Sequence, residues 1–301
     1  MTKLPGIFLA LFSAIAFGVY PPAVKLAYAD GANTTFVLIL TTFCRATFLS
    51  CYCLFKGQAL LPESGKWRVV ILGGLYQAIS TFGIIASLAY LPAPITIIVM
   101  FTHSIMLLFY LAYLKEIRLT RLAVVSTLSA LTGLSFVLDI WSQDFDLSTT
   151  GLLFAVMAAI ATTNRLYIFG KQTLVLPPAV VGAQTFLGSF IFILCWALYQ
   201  KPIAPSSVVG LDWVLLCCLS TVIGSFGMFF GIASMGSFRW SLLLKFEPIF
   251  TAIFSVILLG EILRTPQYFG MLLVLGSLVV YQLFEKRTDT VPAVAISIEP
   301  D

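Results

Sequence analysis

Stretches of about twenty apolar residues recur along this chain with only short turns between them. A helix rises 1.5 Å per residue, so ~20 such residues match the hydrocarbon thickness of a bilayer. They run at 5–27, 34–55, 67–90, 92–114, 119–138, 148–170, 179–199, 211–233, 238–259 and 267–284. Ten crossings leave nothing for a soluble domain. The connections carry turn residues, as in Asp30-Gly31-Ala32-Asn33, Pro62-Glu63-Ser64-Gly65, Pro177-Pro178 and Pro202 to Pro205, and 288–301 reads as a disordered tail. Only 10% of the residues are charged and the mean hydropathy is +1.03, whereas a soluble domain carries about 25% charge. The expected fold class is therefore an all-α integral membrane protein. The basic residues do not share one soluble face, so nucleic acid is not an expected partner.

Lys and Arg collect on the cytoplasmic side of membrane proteins. With the N-terminus inside, the inner ends hold Lys3, Lys56, Lys66, Arg68, Lys115, Arg118, Arg121, Arg165, Lys171, Arg239, Lys286 and Arg287, and the outer ends only Lys25, Lys201 and Arg264. The bias places both termini in the cytoplasm. The loop at 139–147, with Asp139, Asp144 and Asp146 and no cation, fits the outer side. Ala27-Tyr28-Ala29 has the form of a signal cleavage site, but the apolar stretch before it is longer than the ~7–15 residues of a signal's core. It reads as a first span.

The stretch Tyr113-Leu114-Lys115-Glu116, followed by Leu119-Thr120, recurs 145 residues later as Leu258-Leu259-Gly260-Glu261, followed by Arg264-Thr265. Each copy sits between the fourth and fifth span of a five-span half. Five is odd, so the second copy enters the membrane from the opposite side. Two inverted halves, 5–138 and 148–284, with the substrate between them, are the arrangement of alternating-access carriers.

Charge inside a bilayer costs at least ~2.5–3.5 kcal/mol and marks sites by default. Glu247 is the one acidic residue deep in a span, beside Pro248, which removes a helical hydrogen bond. Glu247 either pairs with Arg45 or holds an ammonium group or a proton. Lys245, two residues before it, points to another face and either meets a substrate carboxylate or snorkels to the interface. Arg165 and Lys25 read as snorkelling. His103, the single histidine, is either a hydrogen-bonded packing residue or part of the path; Gln77 and Asn164 lie at related depths. Tyr20, before Pro21 and Pro22, and Tyr76 carry hydroxyls that need partners. The two prolines are expected to kink the first span. Gly224, Gly227 and Gly231 form a seam for close helix packing.

An enzyme is not expected. None of the aspartates (30, 139, 144, 146, 212, 289 and 301) is deep in a span, there is no H-E-x-x-H, and Gly224-Ser225-Phe226-Gly227 would have only His103 as base. The six cysteines fall inside spans without C-x-x-C spacing, so neither a disulfide nor a metal is expected, and no cofactor is implied. A channel suits a symmetric ring better than one chain with a single buried acid. The deep charges Arg45, Lys245 and Glu247 sum to +1. That sum fits a zwitterion better than a nucleotide sugar or sugar phosphate, which needs several convergent cations.

These residues resemble the drug/metabolite transporter superfamily with its two EamA-type repeats. The resemblance covers 5–284 and rests on the Lys25 region, Arg45, Glu247-Pro248, Leu259-Gly260-Glu261, Thr265, Gly270 and Gly276. The first repeat departs from the pattern, with His103 where the second has Pro248 and Lys115 where it has Gly260. Within the superfamily the chain looks most like YddG-type exporters of aromatic amino acids in the inner membrane of Gram-negative bacteria. The resemblance implies export of amino acids and related metabolites through a central cavity, in a unit that ten helices can enclose as a monomer.

Overall fold

A computed structural model of the chain describes residues 4–62, 67–88, 90–91, 93–141, 148–260 and 262–284. Lys3, Glu63-Ser64-Gly65, Lys66, Asp144, Asp146, Glu261, Lys286, Arg287 and the tail at 288–301 lie outside them. The described residues form helices and no strand. These are α1 (Leu4–Ala29), α2 (Thr34–Phe55), α3 (Trp67–Leu88), α4 (Ala93–Phe101), α5 (His103–Tyr113), α6 (Arg121–Val137), α7 (Thr149–Gln172), α8 (Pro178–Tyr199), α9 (Val208–Met235), α10 (Ser237–Leu243), α11 (Glu247–Leu259) and α12 (Thr265–Phe284). A 3₁₀ turn at Leu244–Phe246 joins α10 to α11.

Among the described residues, seven segments are long and apolar enough to cross a bilayer. They include Ile95–Tyr113, which is α4 with α5, and Ser237–Leu259, which is α10 with α11. Arg121–Val137 and Thr265–Tyr281 are shorter apolar helices. Polar side chains set several helix starts. Asn33, Thr120, Ser148 and Ser207 each accept a hydrogen bond from a backbone N–H of the first turn, which satisfies one of the donors a helix leaves open. Helix ends use left-handed residues. Gly260 (φ +68°) closes α11, and Lys115 (φ 58°) stands 145 residues earlier, just past the end of α5. Two of the connecting turns are tied together: Asp30 accepts from the backbone N–H and the hydroxyl of Ser207, and Asn33 donates to the Lys201 carbonyl and accepts from the Ile203 N–H.

The main helix pairings recur when the two halves are exchanged. α1 packs on α9 as α7 packs on α3; α1 meets α11 as α7 meets α4 and α5; α2 meets α9 as α8 meets α3. α2 with α8 and α6 with α12 pair across the exchange itself. Small residues carry the closest of these contacts. On the glycine seam of α9, Phe17 covers Gly224, Ser13 and the Leu9 carbonyl cover Gly227, and Trp240 of α10 covers Gly231. Gly133 of α6 and Gly270 of α12 face each other backbone to backbone, and Gly74 of α3 meets Gly188 of α8 in the same way.

α1 runs unbroken through Pro21 and Pro22, so the break expected in the first span is absent. A proline removes one hydrogen bond four residues back, here at the carbonyls of Phe17 and Gly18. On that stretch Gly18 lets Phe250 and Thr251 of α11 approach. The breaks fall elsewhere, in the fourth and ninth spans.

A methyl group at Gly270 would lie 2.6 Å from the Gly133 carbonyl and from the Val137 nitrogen, whereas one at Gly276 meets nothing within 4 Å. Gly270→Ala should destabilise the protein by about 1–3 kcal/mol through forced separation of α6 and α12. Gly276→Ala should be neutral or stabilising by up to about 1 kcal/mol from helix propensity. Thermal unfolding of the two variants in detergent checks the contrast.

Candidate functional site

The fourth span is interrupted without proline or glycine. The Thr102 hydroxyl donates to the Val99 carbonyl at 2.6 Å, and His103 Nδ1 bonds the Met100 carbonyl at 2.8 Å. Side chains that bond the carbonyls of the preceding turn compete with the helix ladder, and α5 starts afresh at His103. In the ninth span the 3₁₀ turn tightens the backbone and Pro248 opens α11 as its second residue. Thr102 and Glu247 stand 145 residues apart, so the breaks occupy matching places in the two repeats.

The breaks also meet in space. α10 packs against both α5 and α7. The Ser104 hydroxyl reaches the Ser241 carbonyl at 3.5 Å, and the Thr163 hydroxyl of α7 lies 3.4 Å from the His103 carbonyl. At this junction sit three buried polar atoms with no hydrogen-bond partner among the described residues: Lys245 Nζ, His103 Nε2 and Arg165 Nε. Lys245 is 0% exposed and His103 1%. His103 lies within electrostatic reach of both Lys245 and Arg165. Burying a polar group without a partner costs about 1–3 kcal/mol, and more for a charge, so such a cluster is costly unless something else fills it.

Arg165 corrects the sequence reading. It does not snorkel; its Nη1 donates to Gln77 Oε1 at 2.6 Å, and Gln77 Nε2 donates to the Thr81 hydroxyl at 3.1 Å. Its guanidinium lies 5.9 Å from the Phe169 ring. Arg45 stays on its own helix, where Nε donates to the Thr41 carbonyl and Nη2 to the Thr42 hydroxyl, 4.5 Å over the Phe186 ring. It forms no ion pair with Glu247, and half-buried Glu247 has no hydrogen-bond or ion-pair partner among the described residues. The deep formal charge is thus +2, with Arg165 joining Arg45, Lys245 and Glu247. Lys25 is exposed near the end of α1.

The remaining expected residues are dispersed. Asn164 Nδ2 donates to the Ile160 carbonyl of its own helix. Tyr20 is half-buried against the cluster of Ala23, Ala27, Val214, Cys217 and Cys218, within electrostatic reach of Arg45. Tyr76 is half-buried on α3. The six cysteines are free thiols, and no group that could hold a metal ion occurs among the described residues.

A cavity of ≈ 510 Å³ opens between α2, α3, α7 and α8, near the ends of α2 and α8 that adjoin the Asp30–Asn33 and Lys201–Ser207 turns. Its walls are apolar and aromatic, including Leu38, Leu75, Phe82, Phe154, Phe192, Trp196 and Tyr199, with Phe82 at 5.1 Å from Trp196. None of the residues expected from the sequence lines it. Thr81 does, and through Gln77 it connects the cavity wall to Arg165. The exchange-related region between α1, α2, α8 and α9 is filled instead. Leu49 and Phe229 close on Gly182, and Tyr52, Phe226 and Phe230 stack at 4.4–6.2 Å.

The EamA-like transporter family matches residues 4–139 and again 149–282. The chain belongs to the EamA-like transporter family. It is a multi-pass membrane protein built from two copies of that repeat. The fold is similar to a crystal structure of a protein 17% identical in sequence, with a TM-score of 0.79 over 94% of this chain and 98% of that one. No curated protein matches the chain.

Gln77→Leu should leave the Arg165 guanidinium without its acceptor and cost about 1–3 kcal/mol. Removing both partners in Gln77→Leu/Arg165→Leu should recover part of that loss, with a coupling of about 0.5–3 kcal/mol. Unfolding of the single and double variants measures it; additive losses would mean the bond carries no stability.

Proposed function

We propose that this EamA-family transporter exports amino acids, aromatic ones among them, and related small metabolites across the bacterial inner membrane. Alternating access would run through a cavity between two inverted five-span halves. The chain crosses the membrane ten times with both termini cytoplasmic, and the monomer is a sufficient unit. The carrying observation is Lys245, wholly buried at a helix break with its Nζ unpartnered among the described residues, two residues before half-buried Glu247. An amino acid brings the complement of both: a carboxylate for Lys245 and an ammonium group for Glu247. The aromatic walls of the ≈ 510 Å³ cavity suit an apolar side chain. In the proposed orientation the cavity opens outward while the region between α1, α2, α8 and α9 is closed, and exchange of these two conditions is the transport step. The repeated pairing of helices supports that cycle.

A second reading draws on Arg165. Three deep cations raise the fit to a sugar phosphate or nucleotide sugar, which two cations offset by one carboxylate did not favour. Uptake of labelled phenylalanine into proteoliposomes separates the two. The proposal expects saturable uptake, resistance to competition by sugar phosphates, and loss of at least tenfold in Lys245→Met at equal expression. Stronger competition by a diphosphate than by amino acids sinks it. Counterflow with and without an imposed pH gradient shows whether protons are coupled, and cysteine labelling from each side of the membrane tests the orientation.

A further inference from the structure

His103 is aimed by its own backbone neighbour. Its Nδ1 lies 2.8 Å from the Met100 carbonyl oxygen. A carbonyl can only accept, so Nδ1 carries the proton of that bond. In the neutral ring the other nitrogen, Nε2, is then an acceptor with a free lone pair. Nε2 is buried and has no partner among the described residues. The ring cannot turn away without giving up the Met100 bond, and its carbonyl side is met by Thr163. Lys245 Nζ, a donor that is also buried and without a partner among the described residues, lies in the 3₁₀ turn that follows α10, the helix that packs against α5, and within electrostatic reach of His103. The site therefore offers a cationic donor and a neutral acceptor within electrostatic reach of each other. Two anion-binding donors would not need His103 in this tautomer.

We infer that His103 Nε2 accepts a hydrogen bond from an N–H or O–H group of the substrate while Lys245 Nζ holds the carboxylate on the adjoining carbon. The substrate class is then an α-amino or α-hydroxy acid, and His103 distinguishes it from a plain carboxylate. The inference deepens the amino-acid reading above and rests on it for the carboxylate at Lys245. A binding site that supplies a polar partner discriminates against a ligand lacking it, because the buried partner is then left unpaired. A ligand without the α donor leaves Nε2 as empty as it is in the free protein.

His103 is the single histidine of the chain, so ¹⁵N-histidine labelling gives one imidazole and its tautomer is read directly. In ligand-free protein in nanodiscs, Nε2 should appear as the unprotonated nitrogen. It should shift on adding phenylalanine or 3-phenyllactate and stay in place with 3-phenylpropionate. A protonated Nε2 in the free protein, or no response to phenylalanine that binds, overturns the inference. Competition supplies the second measurement. Wild type should prefer 3-phenyllactate, whose hydroxyl brings no ammonium to Glu247, to 3-phenylpropionate by at least tenfold; His103→Leu should lose that preference, and Lys245→Met should weaken all three ligands. Retention of the preference in His103→Leu overturns the role of His103. If phenyllactate binds and shifts Nε2 while phenylalanine is not transported, the amino-acid reading fails and the acceptor site stands. If phenylalanine is transported with Nε2 unmoved, the reading stands and the site fails.

Discussion

Hydrocarbon offers no hydrogen bond to a backbone N–H or C=O, and an unsatisfied group there costs several kcal/mol. A chain with this many apolar stretches must therefore keep its backbone in helices. Irregular backbone is tolerated only where protein, water or substrate supplies the missing partners. This chain spends that tolerance in one place. α5, which follows the first break, packs on α10, which precedes the 3₁₀ turn, and the unpartnered polar atoms of His103, Lys245 and Arg165 lie around this junction. Elsewhere several hydroxyls are absorbed locally: Thr41, Thr127, Thr173 and Thr221 each return theirs to a carbonyl one turn back, while neutral atoms such as Ser13 Oγ, Ser225 Oγ and Trp240 Nε1 are also buried without a partner among the described residues.

Close packing is what lets the breaks meet. Without a hydrophobic drive between helices in lipid, association depends on contact area and on how near the backbones come. Glycine permits the nearest approach, and it does so here at crossings between the repeats: Gly133 with Gly270, Gly74 with Gly188, and the α9 seam against α1. Side chains then do two opposite jobs at the two exchange-related regions. Leu49, Phe229, Phe226 and Tyr52 fill one, while Phe82, Phe154 and Trp196 stand around space in the other. The same backbone plan thus leaves space in one region and fills the exchange-related one.

The apolar stretches were legible as helices because a 20-residue apolar stretch has few alternatives, and their bounds fall within a few residues of the helices or helix pairs observed, seven of which among the described residues are long enough to cross a bilayer. The break at Glu247-Pro248 was legible too, since proline announces a lost hydrogen bond. The break at Thr102 was not. It is made by two side chains bonding the carbonyls of Val99 and Met100, and neither threonine nor histidine is a breaker by type. Conversely, Pro21 and Pro22 read as a kink and lie inside a continuous α1. Arg165 was misread because depth along a span was visible and the face was not; only its partner Gln77, on another helix, turns it inward. Arg45 and Glu247 failed to pair for the same reason. Opposite charge at equal depth says nothing about which helices adjoin. The aromatic cavity walls looked like ordinary lipid-facing residues, and no local signal separates the two.

The inequality of the two breaks has a chemical consequence. Copies that were identical at this junction would present like groups to the substrate from either half, and a symmetric site reads no direction along a small molecule. Here the first copy contributes a neutral acceptor, His103 Nε2, and the second a cation at Lys245, where the first has Met100 at the matching position. Lys115 in place of Gly260 shows that such divergence need not alter the backbone, since both residues sit at positive φ and close their helices alike. The fold has kept the geometry of a repeated unit while the side chains at its centre have become unlike. A substrate held as proposed between an acceptor and a cation would be oriented, with its two polar groups fixed by unlike partners.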